Sequence, residues 1–162
     1  MMQKQQFCDA IRLYENAMYA VAFSIVQNDA DAAEVLSESV YRAYKNLSKL
    51  RNENAFKSWL LHIVHNTAIE EVRKQGRHIY MDTLPDEGVD TNVENTTKLA
   101  LRDAVEQLKQ PYQTVTILFY YENLTTQEIA EVTEIAETTV RKQLSRARTM
   151  LKEILKEDFL NA

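Results

Sequence analysis

Two glycines and two prolines are spread over 162 residues, and that scarcity is the strongest constraint on the fold. Sandwiches, barrels and glycine-rich phosphate loops need many turn residues, because tight turns draw on Gly for positive φ and on Pro for a fixed one. This chain has too few for any of them. Its hydrophobic content of 45% is still enough to build packed cores, which leaves helices joined by short connections.

The apolar spacing agrees. Phe7, Ile11, Tyr14, Met18, Val21 and Ile25 recur every three or four residues, the period of a helix with one apolar face. Asn28 and Asp29 interrupt it with turn chemistry, and a second helix follows with Ala32, Leu36, Val40, Ala43 and Leu47 inward. Residues 48–55 are polar and read as a loop. A third helix starts near Phe56, buries Phe56, Trp59, Leu60, Ile63 and Thr67, and stops at Gly76, a residue suited to a left-handed cap. These three helices make one unit, residues 1–80.

Residues 81–97 lose all periodicity. They hold Pro85, Gly88, Asp82, Asp86, Glu87, Asp90 and Glu94, and predict an acidic, self-repelling linker. Beyond it Leu101, Val105 and Leu108 resume the helical spacing, Pro111 suits the first turn of a new helix, and Val115, Leu118 and Phe119 follow. A second, smaller helical unit therefore occupies 98–162. The formal net charge is -5, but it is uneven: +1 over residues 1–80, -5 over 81–107 and -1 over 108–162. The acidity belongs to the linker region, and each helical unit is close to neutral.

Several function classes are excluded by what is missing. No apolar run approaches the roughly 18 residues of a membrane span, and the first residues lack the apolar core of a signal peptide, so a cytoplasmic location is expected. Cys8 is alone and cannot form an intramolecular disulfide. His62 and His65 lack a convergent acid, so no metal site is expected, nor any cofactor. No Cys/His or Ser/His/Asp arrangement suggests an enzyme or a small-molecule substrate.

The stretch TTQEIAEVTEIAETTVRKQLSRAR, residues 125–148, carries the most specific chemistry. Thr125 to Glu128 is a capping box, with the threonine oxygen on a backbone amide and the glutamate reaching back. It opens a short helix with Ile129, Ala130 and Val132 inward. After a turn through Glu134, a longer helix sets Val140, Leu144, Ala147 and Leu151 inward, with Thr138, Arg141, Lys142, Ser145, Arg146 and Arg148 opposite. A bracing helix, a tight turn and a helix with a basic outer face form a helix-turn-helix. An ordinary helical hairpin with a solvated basic face has the same spacing. The turn is also irregular: Glu134 stands where glycine would reach positive φ without strain, and Ala136 where Ser or Asp would cap.

Taken together, the chain resembles the extracytoplasmic-function (ECF) group of bacterial sigma factors, which keep two helical domains, regions 2 and 4. DADAAEVLSESVYRAYKNL (29–47) is similar to that family's polymerase-docking helix, FKSWLLHIVHNTAIEEVRKQGR (56–77) to its promoter-melting helix, and EIAEVTEIAETTVRKQLSRAR (128–148) to its region 4 recognition motif. Three segments in the right order cover nearly the whole chain. The resemblance implies an all-α protein, monomeric when free, that binds core RNA polymerase and promoter DNA. An anti-sigma factor that clamps between the domains, often from the membrane, is family habit. The resemblance assigns Asp31, Glu34, Ser37, Glu38 and Arg42 to polymerase docking. It gives Lys57, His62, Asn66, Ile69, Arg73, Lys74 and Arg77 to the single-stranded −10 element. In region 4, Arg141, Lys142, Ser145 and Arg146 fall to −35 base edges, and Thr126, Gln127, Thr138, Thr139 and Arg148 to phosphates. The sequence departs from the pattern at Ser37, where Gln is common, at Gln143, where a further cation is frequent, and in the Glu134–Ala136 turn. The competing reading is a stand-alone helix-turn-helix regulator, dimeric on a two-fold symmetric site.

Overall fold

A computed structural model describes residues 2–76 and 98–160 of the chain, and every regular element among them is helical. The first unit is a three-helix bundle of α1 (Lys4–Val26), α2 (Asp29–Lys45) and α3 (Phe56–Lys74). Local chemistry sets the boundaries. At the N-terminal end of α1, the Gln3 amide donates to Gln6 Oε1 at 2.8 Å. The side chain of Asn28 caps α2 by accepting from the Asp31 amide. Asp29 and Asp31 lie in its first turn and Arg42 and Lys45 in its last, as the helix dipole favours. Past the end of α3, Gly76 takes φ +73 and its amide bonds Arg73 O, the left-handed stop that the sequence predicts.

Met18, Val21, Val26, Val35, Leu60, Leu61 and Val64 fill the bundle core with 0–1% exposure, each contributing about 1.5–3 kcal/mol. Phe56 anchors one end, edge-on to Phe7 and stacked on Tyr14. The inner stripe of α2 differs from the expected one. Ala32, Val35, Ser39 and Ala43 are buried, while Leu36 and Val40 are only half-buried at its flanks. Small residues take the inner positions where α2 meets α1 and α3, and the larger Leu36 and Val40 cover the sides. Trp59 and Ile63 are likewise half-buried flanks of α3, whose inner residues also include Leu61, Val64, Ala68 and Val72.

The second unit contains α4 (Lys98–Glu106), α5 (Tyr112–Thr116), a π-helical turn at Ile117–Tyr121, α6 (Thr126–Thr133) and α7 (Glu137–Leu160). Ala104, Val105, Leu108 and Tyr112 pack against Ala147, Leu151 and Leu155 of α7 in a core of their own. Val115, Leu118, Leu124, Ile129, Val132, Val140 and Leu144 instead join the apolar cluster of the first unit, so the two units are pressed together. The seam is not purely apolar. Ser24 and Gln27 at the end of α1 hydrogen-bond Thr114 (2.8 Å) and Gln113 (3.1 Å), and Gln110 donates to Ser24 O. Ser24 and Thr114 are buried there and satisfy one another, while buried Gln113 accepts from Gln27 and donates to Val105 O.

Candidate nucleic-acid and polymerase interfaces

His62, Asn66, Ile69 and Arg73 line one face of α3, at the helical spacing expected of a solvated reading surface. Of these only Arg73, with its neighbour Lys74, is exposed; His62, Asn66 and Ile69 are half-buried. The cause is the second unit, whose α6 packs across this face. The α6–α7 turn places Glu134 Oε1 3.0 Å from His62 Nε2, and Asn66 Nδ2 lies 3.1 Å from that same ring nitrogen. The hydrogen bond and charge from His62 hold the Glu134 carboxyl below the usual carboxylate range, with Asn66 adding a smaller effect in the same direction.

Beside this contact is a cavity of about 710 Å³, lined from α1 by Ile25, from α3 by His65, Ile69 and Arg73, and from the second unit by Thr114 and Gln143 among others. Burial drives the His65 imidazole down to about 4, against a smaller opposing effect from the Asn66 hydrogen bond, so the ring is neutral near pH 7. Its Nδ1 and the Oε1 of buried Gln143 have no hydrogen-bond partner among the described residues.

Lys57, expected at a phosphate, is turned into the seam. Its ammonium donates to Glu122 O at 2.7 Å, sits 3.4 Å from the Glu122 carboxylate and lies over the Tyr14 ring. Arg77 falls outside the described residues, as does the acidic linker.

In the helix-turn-helix the expected capping box is present: the Glu128 amide donates to Thr125 Oγ1 at 3.1 Å, and the Thr125 amide to Glu128 Oε1 at 3.0 Å. The turn takes its irregular residue in the strained conformation, with Glu134 at φ 58 and ψ 39. The basic helix α7 then presents Arg141, Lys142 and Thr138 to solvent, with Thr139, Ser145, Arg146 and Arg148 half-buried; Gln127 on α6 is exposed. Glu137 organises the start of α7 by accepting from Thr126 Oγ1 and from Arg141, both at 2.8 Å. Arg141 keeps 64% of its side chain exposed in this pair. Arg148 is differently employed: it lies over the Phe119 and Tyr120 rings and donates from Nε to Tyr120 Oη at 2.6 Å. Arg146 Nε is buried with no partner among the described residues.

On α2 the acidic strip is split. Glu34, Ser37 and Glu38 are exposed, but Asp31 is half-buried beside Asn28 and Gln75. Arg42 bridges Glu70 of α3 at 2.6 Å and Glu38 at 3.0 Å, which raises its pKa and ties α2 to α3. Glu122, Gln143 and the Ser24–Gln113–Thr114 junction carry no sequence signal as seam residues. Glu134 does, as a glutamate where glycine is the natural choice. Among the described residues no group of three His, Cys, Asp or Glu side chains is placed to hold a metal ion.

The architecture is that of a two-part, helix-turn-helix DNA-reading factor, and comparison with known proteins specifies the class. Residues 10–78 match the family model of Sigma-70 region 2, and residues 98–151 that of Sigma-70 region 4. The chain is similar to the RNA polymerase sigma factor SigV of Bacillus subtilis, at 33% identity over 98% of this chain and 99% of that protein. It is 28% identical to the ECF RNA polymerase sigma factor SigW of the same organism, over 93% of this chain and 89% of that one. Among solved structures the fold is shared with the sigma factor RpoE of Bartonella quintana, crystallised with the anti-sigma factor NepR. The TM-score is 0.72 at 21% identity, over 94% of this chain and 98% of that one. A structure of CnrH in complex with the cytosolic domain of CnrY gives 0.67 at 17%, over 96% and 91%. The protein belongs to the ECF group of RNA polymerase sigma factors.

Proposed function

We propose that this sigma factor docks on core RNA polymerase through the exposed Glu34, Ser37 and Glu38 of α2, opens the −10 element with α3 and reads the −35 duplex with α7. The support is the match to a sigma factor relative across almost the full chain, together with an exposed Arg141 and Lys142 on the second helix of a helix-turn-helix. An acidic docking strip suits a basic polymerase surface and raises the encounter rate. Arg141 can present its guanidinium fork to guanine O6 and N7, while Lys142, Gln127 and Thr138 serve phosphates. On α3, Asn66 offers an amide to an unstacked base edge, with Arg73 and Lys74 beside it for the backbone. Capturing a flipped base repays the few kcal/mol of unstacking, so strand opening needs no ATP.

Each unit is close to neutral and offers few cations, so neither binds DNA strongly alone. Tethering both to one polymerase supplies the affinity through effective concentration. The domain limits we assign are 1–80, 81–97 and 98–162. No helix among the described residues is long and apolar enough to cross a membrane, and we place the protein in the cytoplasm as a non-enzymatic factor. An anti-sigma protein is a further expected partner, since the structural relative RpoE was solved with one. The test is permanganate footprinting of a promoter with core polymerase and this chain. We expect unpaired thymines around −10 that fade at least tenfold with Asn66→Ala. A footprint unchanged by that substitution contradicts the role given to α3.

A further inference from the structure

We propose that Arg42 of α2 is a positioning residue for strand opening rather than a polymerase contact: it captures the Glu70 carboxylate and keeps that charge off Arg73 and off the DNA held on α3. The inference rests on α3 being the −10 reader and adds a residue to that function.

Three observations carry it. First, the guanidinium is committed on two edges. Its Nη1 donates to Glu70 Oε2 at 2.6 Å and to Thr67 Oγ1 at 3.4 Å, while its Nε donates to Glu38 Oε1 at 3.0 Å. Thr67 is itself fixed, buried and donating to Ile63 O at 2.7 Å, so the fork has a set direction. Second, Glu70 stands within the reading face. Asn66 lies one turn before it and Arg73 three residues after it, positions that share one side of a helix, and all three line the same cavity. A carboxylate there is the wrong charge for a surface that meets phosphates. Third, Glu70 keeps 58% of its side chain exposed, and Arg73 is exposed as well. A glutamate three residues before an arginine is placed to pair with it, so capture by Arg42 is what leaves Arg73 to the strand.

The same guanidinium also serves Glu38. A basic polymerase surface that takes over Glu38 leaves Arg42 to Glu70 alone, so docking and neutralisation of the reading face reinforce each other. Exposed ion pairs are weak, and a freed Glu70 would oppose DNA by charge without blocking it. The loss on removing Arg42 is therefore modest, about three- to tenfold in strand opening.

The experiment uses the full chain assembled with purified core enzyme. Permanganate reactivity of the −10 thymines is scored per holoenzyme recovered from size exclusion, and circular dichroism reports folding. Arg42→Ala should lower the reactivity about three- to tenfold, and Arg42→Gln, which keeps most of the stem and loses the charge, should match it. Glu70→Gln removes the charge that needs holding and should stay within about twofold of wild type; Arg42→Ala combined with Glu70→Gln should return to that level. A merely structural bridge gives the opposite pattern, since removing its second end cannot repair the loss of the first. Wild-type opening by both Arg42 variants overturns the proposal, as does a double variant no better than Arg42→Ala. A folded Arg42 variant that cannot assemble with core overturns it too and makes Arg42 a polymerase contact. Asn66→Ala in the same assay separates the failures: should it leave the footprint intact, it is the assignment of α3 to the −10 element that has failed.

Discussion

His65 makes the closed seam measurable through pH. Its ring lies in the cavity between the units, and burial lowers it from 6.5 to about 4. The sign follows from linkage: where the unfolded chain binds the proton and the folded chain does not, stability falls as pH falls. The effect is absent above pH 6.5, grows below it and levels off below about 4. At pH 5 the unfolded state is almost fully protonated at this site and the folded state almost neutral, which costs about 2 kcal/mol. For a chain of this size that is a drop in Tm of about 4–8 °C. His65→Leu removes the proton site and the buried unpartnered Nδ1 together, so at pH 7 it should be close to neutral or mildly stabilising. Urea unfolding of both proteins at pH 7, 6 and 5 isolates the effect, since all carboxylates titrate alike in the pair. Wild type should lose about 2 kcal/mol more than the variant between pH 7 and pH 5. Parallel curves would mean that His65 is solvated and that the second unit does not pack over it.

Three further outcomes follow from the helix α7. Lys142→Ala should weaken holoenzyme binding to −35 duplexes of any sequence and lower the slope of log affinity against log salt by about 1, whereas Arg141→Ala should relax discrimination at one base pair by about 1–3 kcal/mol. Leu144 is 1% exposed in the apolar cluster shared by the two units, so Leu144→Ala should cost about 2–5 kcal/mol in chemical denaturation, well above any exposed substitution on the same helix.

Where local chemistry sets an element, the sequence was legible. Asn28, Gly76 and the Thr125–Glu128 box act within one turn of chain, and each does what its residue type dictates. Size misled where packing decides: Leu36 and Val40 look like the inner side of α2, yet the close approach of three helices selects Val35 and Ser39. Charge misled in a similar way. Lys57 and Arg148 are cations at helical positions that suit phosphates, but Glu122 lies 65 residues from the first and Tyr120 28 from the second, and no local pattern announces such partners. The polar face of His62 and Asn66 reads as solvated because the surface covering it comes from beyond the linker. Glu134 was legible only as an anomaly, and the cross-unit contact gives that anomaly a reason.

Docking of α2 on core RNA polymerase is put to the test by size-exclusion chromatography with purified bacterial core enzyme. Glu38 is exposed and its salt bridge to Arg42 is backed by Glu70, so Glu38→Arg reverses the docking charge and leaves Arg42 its second partner. Wild type should co-elute with the core enzyme, and Glu38→Arg should elute alone at the monomer position. Wild type that elutes apart from the core, or as a dimer binding symmetric duplex DNA unaided, would contradict it.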